Sequence, residues 1–305
     1  MNCNLCPRAC NIDRDISNGF CGMTNDIYAA RAALHMWEEP CISGERGSGA
    51  VFFSGCTLRC IFCQNYDIAR AFAGKRITVE RLAHIFLELQ EKGANNINLV
   101  TASHYVPQVA KALVSAKDNG LKIPVVYNSS AYENVETVHM LDGLVDVYLP
   151  DMKYMDSRIS EEYSKAPDYF TVASKALEEM VRQTGRPQFF GQEDELVRTG
   201  VVEAGIMKMG VIVRHLVLPG STNDSKNVMK YLIENYGDDI YISIMSQYTP
   251  FDRLKGHPLL SRKVTAEEYN SVVDYAIGLG INNGFIQEED VADESFIPEF
   301  DYEGI

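Results

Sequence analysis

The chain has 305 residues, 46% of them hydrophobic, and a formal net charge of −14. That length allows one large α/β domain or two small ones, and the apolar share excludes a disordered chain. The acidic balance argues against a nucleic-acid backbone or an anionic membrane as the principal partner, and no apolar run reaches the roughly 18 residues of a membrane span.

The first residues, MNCNLCPRACNIDRD, contain no apolar core of a secretory signal, so a cytoplasmic address is expected. In a reducing compartment, clustered cysteines point to metal or redox chemistry more often than to disulfides. Cys3, Cys6, Cys10 and Cys21 form such a cluster. Four thiolates suit a closed tetrahedral site for zinc or a single iron, which would staple an otherwise irregular arm. They suit a second [4Fe–4S] cluster equally, and unligated thiols are a third option; spacing alone does not choose. Cys41 stands outside this set and reads as a buried free thiol. Residues 1–48 are expected to form a Cys-rich extension packed on a main domain at 49–286.

From residue 49 onward, short β-branched runs alternate with longer helical patterns. The spacing predicts strands at 50–55, 96–102, 124–129, 145–150, 211–218 and 241–247, dense in Val, Ile and Leu as parallel strands are. Helices are predicted at 79–93, 107–120, 134–142, 168–184, 226–236 and 266–279. The first carries Leu82, Ile85, Phe86 and Leu89 on one stripe and ends at Gly93; the second has Pro107 in its first turn and ends at Gly120. Six βα units in series predict an α/β fold, a partial (β/α)6 TIM-like barrel, with its chemistry at the C-terminal strand ends. Polar groups stand there: Ser54-Gly55-Cys56, Thr101 to His104, Asn128 to Ser130, Asp151 to Lys153 and Gln247-Tyr248. Strand ends are commonly polar, so this pattern supports the barrel only weakly.

The loop SGCTLRCIFCQN places Cys56, Cys60 and Cys63 after the first predicted strand. Thiolate is the ligand of iron–sulfur clusters, and three in one loop can hold three corners of a [4Fe–4S] cube, leaving one iron open. Zinc would want a fourth Cys or His at close spacing, and none follows Cys63. Inert core cysteines are the remaining reading.

C-x3-C-x2-C with Phe62 before the last cysteine resembles the radical S-adenosylmethionine (SAM) superfamily. GSGAVFFSGCTLRCIFCQN, NINLVTASHYVPQV, VVYNSSAYE, VDVYLPDMKY, VRHLVLPG and SQYTPF together resemble the branch related to pyruvate formate-lyase activating enzyme that carries an N-terminal cysteine motif. The resemblance implies that Cys56, Cys60 and Cys63 bind the cluster and that SAM chelates its open iron. Reductive cleavage of SAM would then yield a 5′-deoxyadenosyl radical for hydrogen abstraction. It further implies an oxidoreductase that takes electrons from flavodoxin or ferredoxin and acts on a glycyl-radical enzyme, a peptide or a small molecule. By position, Asp151 and Lys153 match a D-x-K that helps hold SAM, and Arg214 matches an arginine expected to pair with the SAM carboxylate. Relatives carry a Gly-Gly-Glu-Pro motif where this chain has TASHY; Thr101, Ser103 and His104 are assigned to the SAM amino group on position alone. Asn128 and Ser129 are expected near the ribose hydroxyls. No cysteine follows Cys63, so the ferredoxin-like insertion of many activases is absent from this sequence.

An iron–sulfur electron-transfer or binding protein without SAM chemistry is the alternative of another class, and a zinc-stapled scaffold a third. Residues 287–305 carry eight acids and no Lys or Arg, which reads as a solvated acidic tail. The other reading is a strap or lid anchored by Phe296, Ile297, Phe300 and Tyr302.

Overall fold

The structure is a computed structural model that describes residues 3–287 and 298–305. Among the described residues there are ten strands: β1 (Ile27–His35), β2 (Ser48–Phe53), β3 (Lys75–Ile77), β4 (Ile97–Val100), β5 (Val125–Ser129), β6 (Val147–Pro150), β7 (Gln188–Phe189), β8 (Met207–Leu216), β9 (Tyr241–Met245) and β10 (Gly284–Ile286). The helices are α1 (Pro40–Ser43), α2 (Tyr66–Ala69), α3 (Val79–Glu91), α4 (Val106–Asp118), α5 (Val135–His139), α6 (Ser157–Ser164), α7 (Tyr169–Thr184), α8 (Glu195–Arg198), α9 (Thr222–Tyr236) and α10 (Ala266–Gly278).

The sheet order is β10-β9-β8-β6-β5-β4-β2-β1-β3, an open path. Every pairing from β2 to β10 along it is parallel, while β1 pairs antiparallel with β2 and with β3. The result is a partial TIM-like barrel whose six predicted strands are all present, extended by β10 at one end and by a β1–β3 flank at the other. Parallel strands covered on both faces are apolar throughout, and every residue of β2, β4, β5 and β6 is buried.

The helices follow from their stripes and caps. Thr78 accepts from the Arg81 amide to start α3, which buries Leu82, Ile85, Phe86 and Leu89. Thr265 and Glu268 form a reciprocal capping box on α10. Among the described residues no helix is long and apolar enough to cross a membrane.

Both ends of the chain lie against the barrel. Residues 11–26 and their neighbours form turns that pack against the barrel, with Arg14 fully buried. At the other end, Phe296 and Ile297 lie outside the described residues, but 298–305 is not a free tail. Ala32 donates to the Glu303 carbonyl at 2.8 Å, Tyr302 donates to Ala30 at 3.0 Å, and Phe300 meets Phe52 edge-on at 5.7 Å. Arg31 pairs with Asp301 at 2.7 Å and also with Glu303. Asp301 and Glu303 thus meet a cation on β1, and the backbone hydrogen bonds and the Phe300–Phe52 contact hold the stretch along the sheet.

Candidate metal and cofactor site

The loop after β2 begins at Gly55, whose φ of +88° suits glycine. A Cβ there would lie 2.3 Å from Met23 Cγ, 2.9 Å from the Cys21 carbonyl oxygen and 2.9 Å from His104 Nε2, so no other residue fits this close approach. The Cys56 sulfur then accepts from the amides of Leu58 and Arg59, both at 3.4 Å. The Ser164 hydroxyl donates to the Cys60 sulfur at 3.1 Å, and the Cys63 amide donates to the Cys60 carbonyl at 3.3 Å. Phe62 packs among Tyr154, Tyr163 and Tyr248, with ring centroids 6.2–6.4 Å away, and so pins the loop to the barrel rim. Arg253 from the loop after β9 donates to the carbonyls of Ile61 and Cys63.

The three cysteines line one wall of a cleft at the C-terminal strand ends, holding about 1210 Å³ of empty space including its mouth. Burial, then the neighbouring thiols, pushes Cys63 up to about 12, and burial raises Cys56 as well. Both are thiols until a metal binds and displaces the proton. Among the described residues no three His, Cys, Asp or Glu side chains gather about a point that one ion could share. The thiolates of a cubane sit on separate irons, and an all-sulfur donor set from one loop lining one cleft fits a cluster.

A charged network lines the same cleft. Arg214 on β8 donates to Asp151 at 2.9 Å, to Glu38 at 2.9 Å and to Asn128 at 2.7 Å. Lys153 donates to Asp151 at 2.7 Å. Glu38 also accepts from Asn98 at 3.0 Å and Asn128 at 3.2 Å. Burial pushes the Asp151 carboxyl up, but the Arg214 and Lys153 cations outweigh it and hold it below the usual carboxylate range. Burial lowers and Asp151 then raises both Lys153 and Arg214, with the net shift upward for each. Asp151, Lys153 and Arg214 therefore carry full charge, and the Glu38 carboxylate lies against the Arg214 guanidinium.

Of the residues assigned to SAM from the sequence, Thr101, Asn128, Asp151, Lys153 and Arg214 line this cleft. Ser103, His104 and Ser129 lie behind its wall. Ser103 donates to buried Glu133 at 3.0 Å, and Ser129 Oγ accepts from the Ala131 amide at 3.1 Å. His104 Nε2 donates to the Ser54 carbonyl at 2.8 Å, and burial lowers the ring to about 3. Nor does Arg214 offer a free fork, since all three of its nitrogens are engaged. Glu38, His35, Gln64 and Asn65 line the cleft and were not singled out, while Ser130 and Gln247, placed at strand ends by the sequence, line it too. Gln64 and Asn65 follow the last cysteine directly, and that adjacency was their only signal. Glu38 follows β1, a strand the sequence pattern hid.

Residues 50–232 match the radical SAM superfamily. The chain belongs to that superfamily. Membership implies SAM and a [4Fe–4S] cluster as cofactors, and an enzyme. An uncharacterized protein of Methanocaldococcus jannaschii is 28% identical over 283 residues, 90% of this chain and 74% of that protein. The solved structure of Streptococcus suis SuiB bound to SAM shares the fold, with a TM-score of 0.50 at 14% identity, over 76% of this chain and 48% of that one. The chain thus spans about half the length of SuiB. A domain of pyruvate-formate lyase-activating enzyme from Bacteroides vulgatus also aligns, over 60% of this chain and 92% of that one, with a TM-score of 0.38 at 12% identity.

Proposed function

We propose that this protein is a radical SAM oxidoreductase of the cytoplasm, with its [4Fe–4S] cluster on Cys56, Cys60 and Cys63. The observation that carries the reading is a single cleft lined by three thiols and by the Asp151–Lys153–Arg214–Glu38 network. When bound, the cluster on Cys56, Cys60 and Cys63 would supply an electron and SAM the organic radical needed to abstract hydrogen from a substrate.

The chain's own residues bind and orient. Lys153 uses one of its three donors on Asp151 and can give the others to the SAM carboxylate. Arg214 serves as the scaffold of this wall: it fixes Asp151, Glu38 and Asn128 in place. Thr101 and Asn128, at the ends of β4 and β5, present polar atoms to the amino group and ribose. No acid–base dyad is required, because hydrogen-atom transfer moves proton and electron together. A reduced flavodoxin or ferredoxin supplies electrons.

For the substrate, kinship of the sequence motifs favours glycyl-radical activation of a partner enzyme. Modification of a peptide is the second reading, since SuiB, which shares the fold, has been solved with its precursor peptide SuiA. The test is anaerobic reconstitution followed by dithionite and SAM. Release of 5′-deoxyadenosine that is lost in Cys60→Ala supports the proposal; an iron-replete, reduced protein that leaves SAM intact contradicts it.

A further inference from the structure

The N-terminal cysteines are not used by the cleft, yet the fold lays them directly against it. The Cys56 amide donates to the Cys21 carbonyl at 3.3 Å, joining a residue of one cysteine set to a residue of the other by a single hydrogen bond. Cys3, Cys6, Cys10 and Cys21 are free thiols close enough to perturb one another electrostatically. Gly19 leaves the space between two of them: a Cβ there would lie 3.4 Å from the Cys21 sulfur and 3.7 Å from the Cys10 sulfur. The Phe20 amide donates to the Cys10 sulfur at 3.2 Å, as Leu58 and Arg59 do to Cys56. Amide donation to sulfur is one of the levers that sets cluster potential.

The charge around them points the same way. Arg14 is 1% exposed and donates only to carbonyls, those of His104, Met23 and Thr24. Among the described residues no carboxylate pairs with it. A buried guanidinium needs a counter-anion, and a group held by four thiolates beside Cys21 provides one. Arg8 closes the other side, over the Phe20 ring at 4.0 Å and bonded to the Thr57 carbonyl at 2.9 Å. Cys6 and Cys21 are buried, while Cys3 and Cys10 are part-exposed, so the set reaches from the surface to the loop that carries Cys56.

We propose that Cys3, Cys6, Cys10 and Cys21 hold a second iron–sulfur cluster that relays electrons to the cluster on Cys56, Cys60 and Cys63. It rests on the radical SAM reading. One electron enters from a reduced flavin or iron–sulfur carrier protein and one leaves to the inner cluster; no atom is transferred.

The experiment measures iron, acid-labile sulfide and zinc in the anaerobically reconstituted wild type and in Cys56→Ala/Cys60→Ala/Cys63→Ala. The wild type should hold about eight irons and eight sulfides, and the triple variant about four of each. Should the variant not fold, electron paramagnetic resonance of the dithionite-reduced wild type decides, because two adjacent reduced clusters broaden each other's signals. One zinc and no sulfide in the variant overturns the proposal, as does a wild type with about four irons and an unbroadened signal. Either result leaves the inner cluster standing. A wild type without sulfide sinks both readings.

Discussion

Replacing Arg214 by methionine removes the cation that two carboxylates share while keeping most of the side-chain volume. The Arg214, Glu38 and Asp151 side chains are 14%, 8% and 17% exposed. Breaking a buried ion pair by deleting one partner costs about 3–5 kcal/mol, because the other charge is left uncompensated. Here Lys153 still holds Asp151, and Asn98 and Asn128 still hold Glu38, so the lower end, about 3 kcal/mol, is expected. Urea unfolding monitored by circular dichroism measures it as a lowered midpoint. The pH dependence carries a sign. In the wild type Asp151 titrates below its unfolded value of about 3.9, so its ionisation stabilises above about pH 4 and that stability is lost as pH falls through the folded pKa. In the variant Asp151 loses one of the two cations that hold its pKa down, so it titrates higher than in the wild type, and the gap between the two proteins is widest at neutral pH and narrows as pH falls through the acid range. Adding Glu38→Gln to Arg214→Met should recover part of the loss, a coupling of about 0.5–3 kcal/mol. A loss under about 1 kcal/mol at pH 7, or a gap independent of pH, would refute the assignment of this wall as a balanced ion network.

Gly55→Ala should cost at least about 2 kcal/mol from left-handed strain and overlap with Met23 and the Cys21 carbonyl, and should lower iron incorporation; an unchanged midpoint refutes the close approach. His104, His215 and His35 are lowered by burial to about 3, 4 and 4, so nitrogen chemical shifts should show all three neutral at pH 5.5. Their folded values lie below the unfolded 6.5, so the protein should lose stability steadily as pH falls from about 6.5 towards 4. Phe300→Ala should destabilise by about 1–2 kcal/mol, less than a fully buried Phe, because its ring packs half-buried on Phe52; no change would mean that the C-terminal segment does not hold to β1.

The barrel was legible because buried parallel strands are runs of Val, Ile and Leu, and each was followed by an amphipathic helix. β1 was not, because IYAARAALH is rich in alanine, a weak strand former. Alanines 29, 30, 32 and 33 are buried where β1 lies close against β2, a demand of packing that no periodicity announces. Missing β1 hid Glu38, which enters the cleft only because β1 runs to its edge. The cysteine loop was legible from spacing, Arg214 only through the family resemblance of VRHLVLPG, and Asp151 and Lys153 from their place at a strand end. Ser103, His104 and Ser129 had the same signal yet face inward. Thr101 takes a left-handed φ of +53° that turns the chain after β4, and a strand-end rule cannot foresee a reversal of that kind.

The claim at the centre is that three thiolates leave one iron open and that SAM occupies it. Electron–nuclear double resonance of the reduced cluster with SAM labelled by 15N at its amino group tests this directly. The account predicts a hyperfine coupling between the label and the cluster, lost in Cys60→Ala. A reduced [4Fe–4S] cluster in the wild type that shows no coupling at saturating SAM would contradict it.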